Sequence, residues 1–443
     1  MTSRTILDPR SPSGPALPPA APHNTGLARA AVVTTYLTAV ATPWNGWLFG
    51  GLRLGDVLLL LALLLFAGTD LGNPWPRLPG WVWAFGTTIL VVTVAHEVIP
   101  TDPLFLAQRV VVDAAGQRTI EIATNLGVGA KFLVPIVAMP LIFMFAQQHT
   151  ANALRRCMIG FATGSAISAG LAVAQVLGVS NLATTLTGVL VSTDRSAGLT
   201  VHPNFLATTC VMALPMALWL AARPTLRERL TGSALAVAQL VGVYSSGSRG
   251  GAAIMVLVAL GSFVLIPAYR RILPTVSLLL ALGAAFAFVA QPGLGRAVLK
   301  AVRLGGEDSS VTGSDQVRAE VGAQGIRDFK HSPIDGVGLQ VAAEAHNVYI
   351  QAMASGGLLL LVGLLIFTVG GLVRSGRLLR EHPLAPPLFV AAFGGAVLAS
   401  LENSLTDRLA YVPLALCAAL SAVPALSADG DPPTTDPIED GRA

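Results

Sequence analysis

Charge is what this chain has least of: Asp, Glu, Lys and Arg make up 12% of its 443 residues, against roughly a quarter in soluble proteins. With 53% hydrophobic residues, that scarcity excludes an ordinary water-soluble domain of this length and points to a protein embedded in lipid. Cysteine is nearly absent too. Cys157, Cys210 and Cys417 stand singly inside apolar runs, which excludes a disulfide framework or a paired-cysteine zinc site and leaves them as packing residues. A large basic excess is also missing. The net charge is +4 and the arginines fall in short gaps between apolar runs, so membrane topology explains them and no nucleic-acid partner is expected.

What the chain does contain is apolar runs close to the ~20 residues that cross a bilayer. They recur from about residue 28 to residue 425. Backbone groups at that depth find no water, so these runs are read as helices. The expected fold is all-α, a polytopic membrane helix bundle of about twelve transmembrane spans. Their positions are about 28–48, 54–70, 80–97, 130–147, 154–178, 200–221, 230–246, 250–268, 273–290, 347–373, 385–401 and 406–425. Residues 1–27, rich in proline, and the acidic stretch 426–443 are expected to be disordered tails flanking one domain, 28–425.

An even span number puts both tails on one side. The short loops there hold Arg77; Arg155 and Arg156; Arg223, Arg227 and Arg229; Arg270 and Arg271; and Arg374, Arg377 and Arg380. The positive-inside rule makes that side the cytoplasm. Arg53, Arg109, Arg118, Arg195, Arg249 and Arg408 fall on the other face and oppose this assignment. One outer loop, 291–346, is too long to be an idle connector. Helices are expected in it at 293–304, with Arg296, Lys300 and Arg303 on the polar side, and at 314–329, opened by Ser314 and Asp315. Residues 98–129 read as a segment lying along the outer interface.

Four polar clusters then meet at the outer face. In "SSGSRGG" (245–251), glycines around Ser248 and Arg249 allow a turn whose N–H groups converge on phosphate oxygens; the plainer reading is a tight helix–helix turn. In "DRSAGLTVHPNFLA" (194–207), Pro203 suits a first helical position with His202 or Asn204 as cap, or else Arg195 and Asn204 bind phosphate or sugar hydroxyls. Arg318 belongs to the long loop. His346 and Asn347 open an apolar span. Asn347 is a natural N-cap, while His346 titrates near neutrality and suits a proton acceptor, with Glu344 as a candidate orienting partner. No acidic residue in the outer loops has a convincing catalytic setting, and no carboxylate cluster suits a divalent metal.

In order, these are Arg-x-x-Gly with His-Pro-Asn, Ser-x-Ser-Arg-Gly-Gly, a long loop with arginine and Pro-x-x-Gly-x-Gly (Pro333, Gly336, Gly338), then His-Asn-x-x-x-Gln. The combination, over roughly 190–370, resembles the O-antigen ligase and O-antigen polymerase superfamily. The resemblance implies glycosyl transfer at the outer face of a bacterial cytoplasmic membrane. The donor would be a polyprenyl-diphosphate-linked glycan and the acceptor a sugar hydroxyl of a glycan or glycolipid, with no cofactor or metal and inversion at the transferred sugar. It implies catalytic roles for His346, Arg318 and Arg249 and donor or acceptor binding by Arg195, Asn204, Ser248, Asn347 and Glu344. Membrane lipids and envelope-polysaccharide assembly proteins would be its partners. The competing readings are a polytopic transporter or lipid-linked oligosaccharide flippase, a cell-wall polymerase of the shape-and-division class, and a non-enzymatic assembly scaffold. Ionisable residues lie almost entirely at span ends, which counts against ion-coupled transport.

Overall fold

The computed structural model describes residues 25–49, 52–69, 75–99, 110–112, 118–120, 125–189, 195–270, 309–340, 342, 345–402 and 404–420. The expected span 273–290, the helix 293–304, Glu344 and nearly all of both tails lie outside the described residues. The helices are α1 (Thr25–Ala41), α2 (Leu54–Thr69), α3 (Gly80–Val98), α4 (Asn125–His149), α5 (Ala153–Val176), α6 (Leu182–Thr187), α7 (Pro203–Ala221), α8 (Leu226–Ser246), α9 (Arg249–Leu265), α10 (Pro267–Arg270), α11 (Ser309–His331), α12 (Val348–Arg377), α13 (Ala385–Leu398) and α14 (Val412–Ala419). A 3-10 turn, Arg408–Tyr411, leads into α14.

The described chain is a mostly helical bundle of membrane type. Five of its helices, α3, α4, α5, α7 and α12, are long and apolar enough to cross a membrane. The surface supports the same reading. Leu358, Val362, Ile366, Val369 and Val373 are all exposed and recur every three or four residues along α12, an apolar stripe that water would not tolerate and lipid would. Helix α7 is the opposite case: nearly every side chain from Pro203 to Leu220 is buried, so it runs through the centre of the bundle.

Local chemistry moves several boundaries away from the hydropathy pattern. Helix α1 stops at Ala41 rather than near 48, because Pro43 disfavours helical backbone in the residue before it. Helix α8 starts before 230, because the Thr225 hydroxyl caps it, accepting from the Glu228 amide and donating to the Glu228 carboxylate. The expected helix 314–329 runs over Ser309–His331, so Ser314 and Asp315 lie inside it rather than capping it. The chain also departs from purely helical structure. Two antiparallel strand pairs, β1 (Leu48–Phe49) with β2 (Leu52–Arg53) and β3 (Val110–Val112) with β4 (Arg118–Ile120), join helices, the second pair within the stretch read as an interfacial segment.

One joint governs how the α11 region meets α12. Helix α12 breaks at Gly356 and Gly357, where Gly357 has φ +60°. Into the break fits the turn 333–338. Leu358 N donates to the Pro333 carbonyl at 2.9 Å, Val337 N to Ala354 at 2.8 Å and Gly338 N to Ser355 at 3.1 Å. A Cβ on Gly357 would sit 2.3 Å from the Ile334 carbonyl carbon and oxygen. Gly357→Ala is therefore expected to lower stability by about 2 kcal/mol or more. Gly322→Ala, in open space on α11, is the control and should be neutral or slightly stabilising in the same thermal melts.

Candidate functional site

The polar clusters named from sequence gather at one end of the bundle. Loop 195–202 delivers the first group into α7. His202 is the N-cap, its Nδ1 accepting from Asn204 N at 3.2 Å, and Pro203, which has no N–H to satisfy, follows at the first helical position. Asn204 is thereby released from capping. Arg195 donates from Nε to the Ser246 carbonyl at 2.9 Å and from a terminal nitrogen to Asn204 Oδ1 at 3.2 Å. The two residues read together from the sequence are thus in direct contact.

The "SSGSRGG" segment is a helix–helix joint. Gly247 closes α8 in the left-handed conformation (φ +61°), and Ser248 caps α9 by accepting from Gly251 N at 3.2 Å. Ser248 is buried and its oxygen is committed to that cap, so the plainer reading holds for the turn itself. What the turn presents is the Ser246 carbonyl that fixes Arg195, and Arg249 at the first position of α9. A Cβ on the next residue, Gly250, would lie 3.1 Å from the Leu401 side chain. Arg249 therefore starts its helix beside the loop between α13 and α14.

His346 and Asn347 close the cluster. Asn347 Oδ1 accepts from Tyr349 N at 3.0 Å and Ile350 N at 3.1 Å, capping α12; its oxygen is used there. Val348 N donates to the Ala399 carbonyl at 2.7 Å, which ties this loop to the one after α13. Helix α11 packs across the start of α12 through Gly325, whose missing side chain makes room for Ile350 and Ala345. Arg318, two turns earlier on the same face of α11, thereby reaches the cluster. Its charge bears on both His346 and His202 and lowers their basicity.

The sequence reading passed over Glu402, a buried carboxyl that belongs to this cluster. Glu402 is 3% exposed. Burial pushes its carboxyl from 4.5 up to about 7, against the opposing pull of the Arg318 charge, a hydrogen bond from Asn204 and the Arg195 charge. Its Oε2 has no hydrogen-bond partner among the described residues, nor has Nδ1 of His346. Two unsatisfied buried atoms, one on a carboxyl and one on an imidazole, thus accompany two guanidiniums. Burial, then the charges of Arg195, His346 and Arg318, lower His202 to about 4, so it is neutral at pH 7. Burial and Arg318 likewise take His346 below its ordinary 6.5.

Two arginines that opposed the topology have a structural use. Arg53 pairs with Asp407 at 2.5 Å, and Arg408, itself buried, pairs with Asp56. Asn45 donates to Asp407 at 3.2 Å and accepts from Val201 N at 3.1 Å. These bonds connect the α1–α2 connection to the loops carrying His202 and Glu402. Among the described residues no group of three His, Cys, Asp or Glu side chains is arranged to hold a metal ion. The three cysteines are buried and free. No family model and no curated protein matches the chain.

Glu402 gives a test of this electrostatic setting. Its folded pKa of about 7 lies above the unfolded value near 4.5, so the folded state holds the proton more tightly. The associated stability is complete below about 4.5 and is lost as pH rises through about 7. Glu402→Gln, which cannot ionise, should escape this loss. Melts in detergent should show the variant gaining on the native protein across that window, by up to about 3 kcal/mol. A constant difference from pH 4 to 8 would show that Glu402 is not held in a desolvated site.

Proposed function

We propose that the chain is a membrane glycosyltransferase of O-antigen ligase or polymerase type, with about twelve spans, a long outer loop at 291–346 and its site on the outer face of a bacterial cytoplasmic membrane. The observation that carries the reading is the convergence of Arg195, Asn204, Arg318, His346 and Glu402, from separate stretches of the chain, at one end of an apolar bundle. In the proposed reaction an acceptor sugar hydroxyl attacks the anomeric carbon of a polyprenyl-diphosphate-linked glycan. The carbon–oxygen bond to the diphosphate breaks, and the hydroxyl proton passes to the unpartnered Nδ1 of His346. Inversion follows from attack opposite the leaving group. Arg195 and Arg318, with Arg249 at the head of α9, stabilise the charge that develops on the departing diphosphate. Neutral imidazole is the form a general base requires, and the lowered pKa of His346 supplies it at neutral pH. The protein's own groups suffice for this chemistry, so exhaustive chelation should leave transfer intact.

Sidedness is the experiment that separates this reading from an inward-facing site. In a variant lacking the native cysteines, Glu320→Cys on the exposed surface of α11 should react with a membrane-impermeant thiol reagent on intact cells. Arg380→Cys, exposed just past α12, should react only after the membrane is opened. The opposite pattern would place the cluster in the cytoplasm, away from lipid-linked glycans presented outside.

A further inference from the structure

A second polar hollow lies at the far end of the bundle. Helix α3 spans the two ends: His96 lies against Gly338, in the turn that fills the break in α12, and Trp81 lies against Gly370 of α12, 15 residues or roughly 22 Å apart at 1.5 Å per residue. At the Trp81 end, a hollow of about 500 Å³ is lined by Arg77, Pro79, Trp81, Gln148 and Arg374, together with Pro76 and Met144, and no carboxylate. Three elements build it. Helix α4 contributes Met144 and Gln148, one turn apart on one face. A Cβ on Gly370 of α12 would lie 2.5 Å from the Trp81 ring, so the indole seats directly on that helix, edge-on to Phe367 at 5.1 Å. Arg374, one turn beyond Gly370, comes to stand beside it. Helix α3 starts at Gly80 with Pro79 at its N-cap and no side-chain cap, leaving N–H groups at a positive helix end.

Two further observations say what this cationic hollow suits. Nε of Arg374 is buried with no hydrogen-bond partner among the described residues, a donor left for something that enters. The hollow is also flanked by a lipid-facing surface. Trp75 and Trp83 are exposed on either side of the α3 start, as aromatic residues are at headgroup level. Val369 and Val373 lead away from it along the exposed stripe of α12. We propose that this hollow binds the headgroup of an anionic phospholipid, its phosphate between Arg77 and Arg374 over the α3 terminus and its acyl chains along α12. The arginine-rich side holds it, so the lipid belongs to the leaflet opposite the catalytic cluster. The inference depends on the chain being membrane-embedded and not on glycosyl transfer.

The test uses the full-length protein, delipidated in a neutral detergent and titrated with phosphatidylglycerol while the thermal midpoint and retained lipid are followed. Phosphatidylglycerol should raise the midpoint saturably, whereas phosphatidylcholine and inorganic phosphate at equal concentration should not. Arg77→Gln, an exposed loop change that leaves packing intact, should weaken binding about tenfold, and the Arg77→Gln, Arg374→Gln double variant should lose the saturable shift. Arg227→Gln, an exposed arginine on the same side but outside the hollow, should bind as the native protein does. An equal shift with phosphatidylcholine, undiminished binding by the double variant, or equal weakening by Arg227→Gln would overturn the site. An equal shift with inorganic phosphate would show that it takes a free anion and not a lipid.

Discussion

His346→Ala should lose roughly 10²–10⁴-fold in turnover, the range a general base supplies. Donor binding should change little, because the guanidiniums proposed to hold the diphosphate remain in place. The pH–rate profile carries the sharper signature. In the native protein a limb rising with pH should lie below 6.5, because burial and the Arg318 charge both disfavour the imidazolium. That limb should vanish in His346→Ala and survive in Glu402→Gln. If the native limb instead lies near 7, survives in His346→Ala and disappears in Glu402→Gln, the carboxyl is the base and His346 positions the acceptor. Asn347→Ala should behave differently from both. Its oxygen caps α12 through two amides, so it should cost about 1 kcal/mol of stability with a small change in turnover.

Arg318→Ala should be nearly as severe, with turnover falling on the order of 10²-fold or more, as when one preorganised charge-stabilising donor is removed. Lysine should restore only part of the loss, since an ammonium cannot reproduce the planar fork. A second readout tests whether Arg318 acts where the cluster places it. Its charge lowers the pKa of His346, so Arg318→Ala should move the rising limb upward toward 6.5 while Arg318→Lys leaves it low. Unchanged turnover and an unmoved limb in Arg318→Ala would reduce Arg318 to a surface residue of α11.

Much of this was legible in the chain because hydropathy and capping are local. Apolar runs announced the helices, Pro203 the start of α7 and Asn347 the start of α12. Hydropathy could not see Thr225 and Glu228 extending α8 backward, nor Gly356 and Gly357 breaking α12, because a glycine pair reads as apolar and the turn that fills the break is 333–338. Glu402 was missed for a related reason. In "SLENSLTDR" it is one polar residue among several at a span end, and its altered chemistry comes from burial in the fold, against which Arg318, Asn204 and Arg195, all distant in sequence, pull. Asking which acidic residues sit at outer span ends, with Asp407 set aside as the partner of Arg53, would have found it. Arg53 and Arg408 were misleading in the same way, since the charges that neutralise them lie more than 350 residues away.

The central claim is glycosyl transfer from a lipid diphosphate at this cluster, and the most direct measurement is transfer by the purified protein in detergent. Native protein, a polyprenyl-diphosphate-linked glycan and a glycan acceptor are mixed without nucleotide and with chelator present, and product and free polyprenyl diphosphate are followed together. The account predicts that both accumulate in equal amounts with native protein and that His346→Ala and Arg318→Ala, folded as the native is, form almost none. No transfer by well-folded native protein across a range of such donors and acceptors, with movement of lipid-linked glycan across vesicle membranes instead, would contradict it and make the chain a carrier.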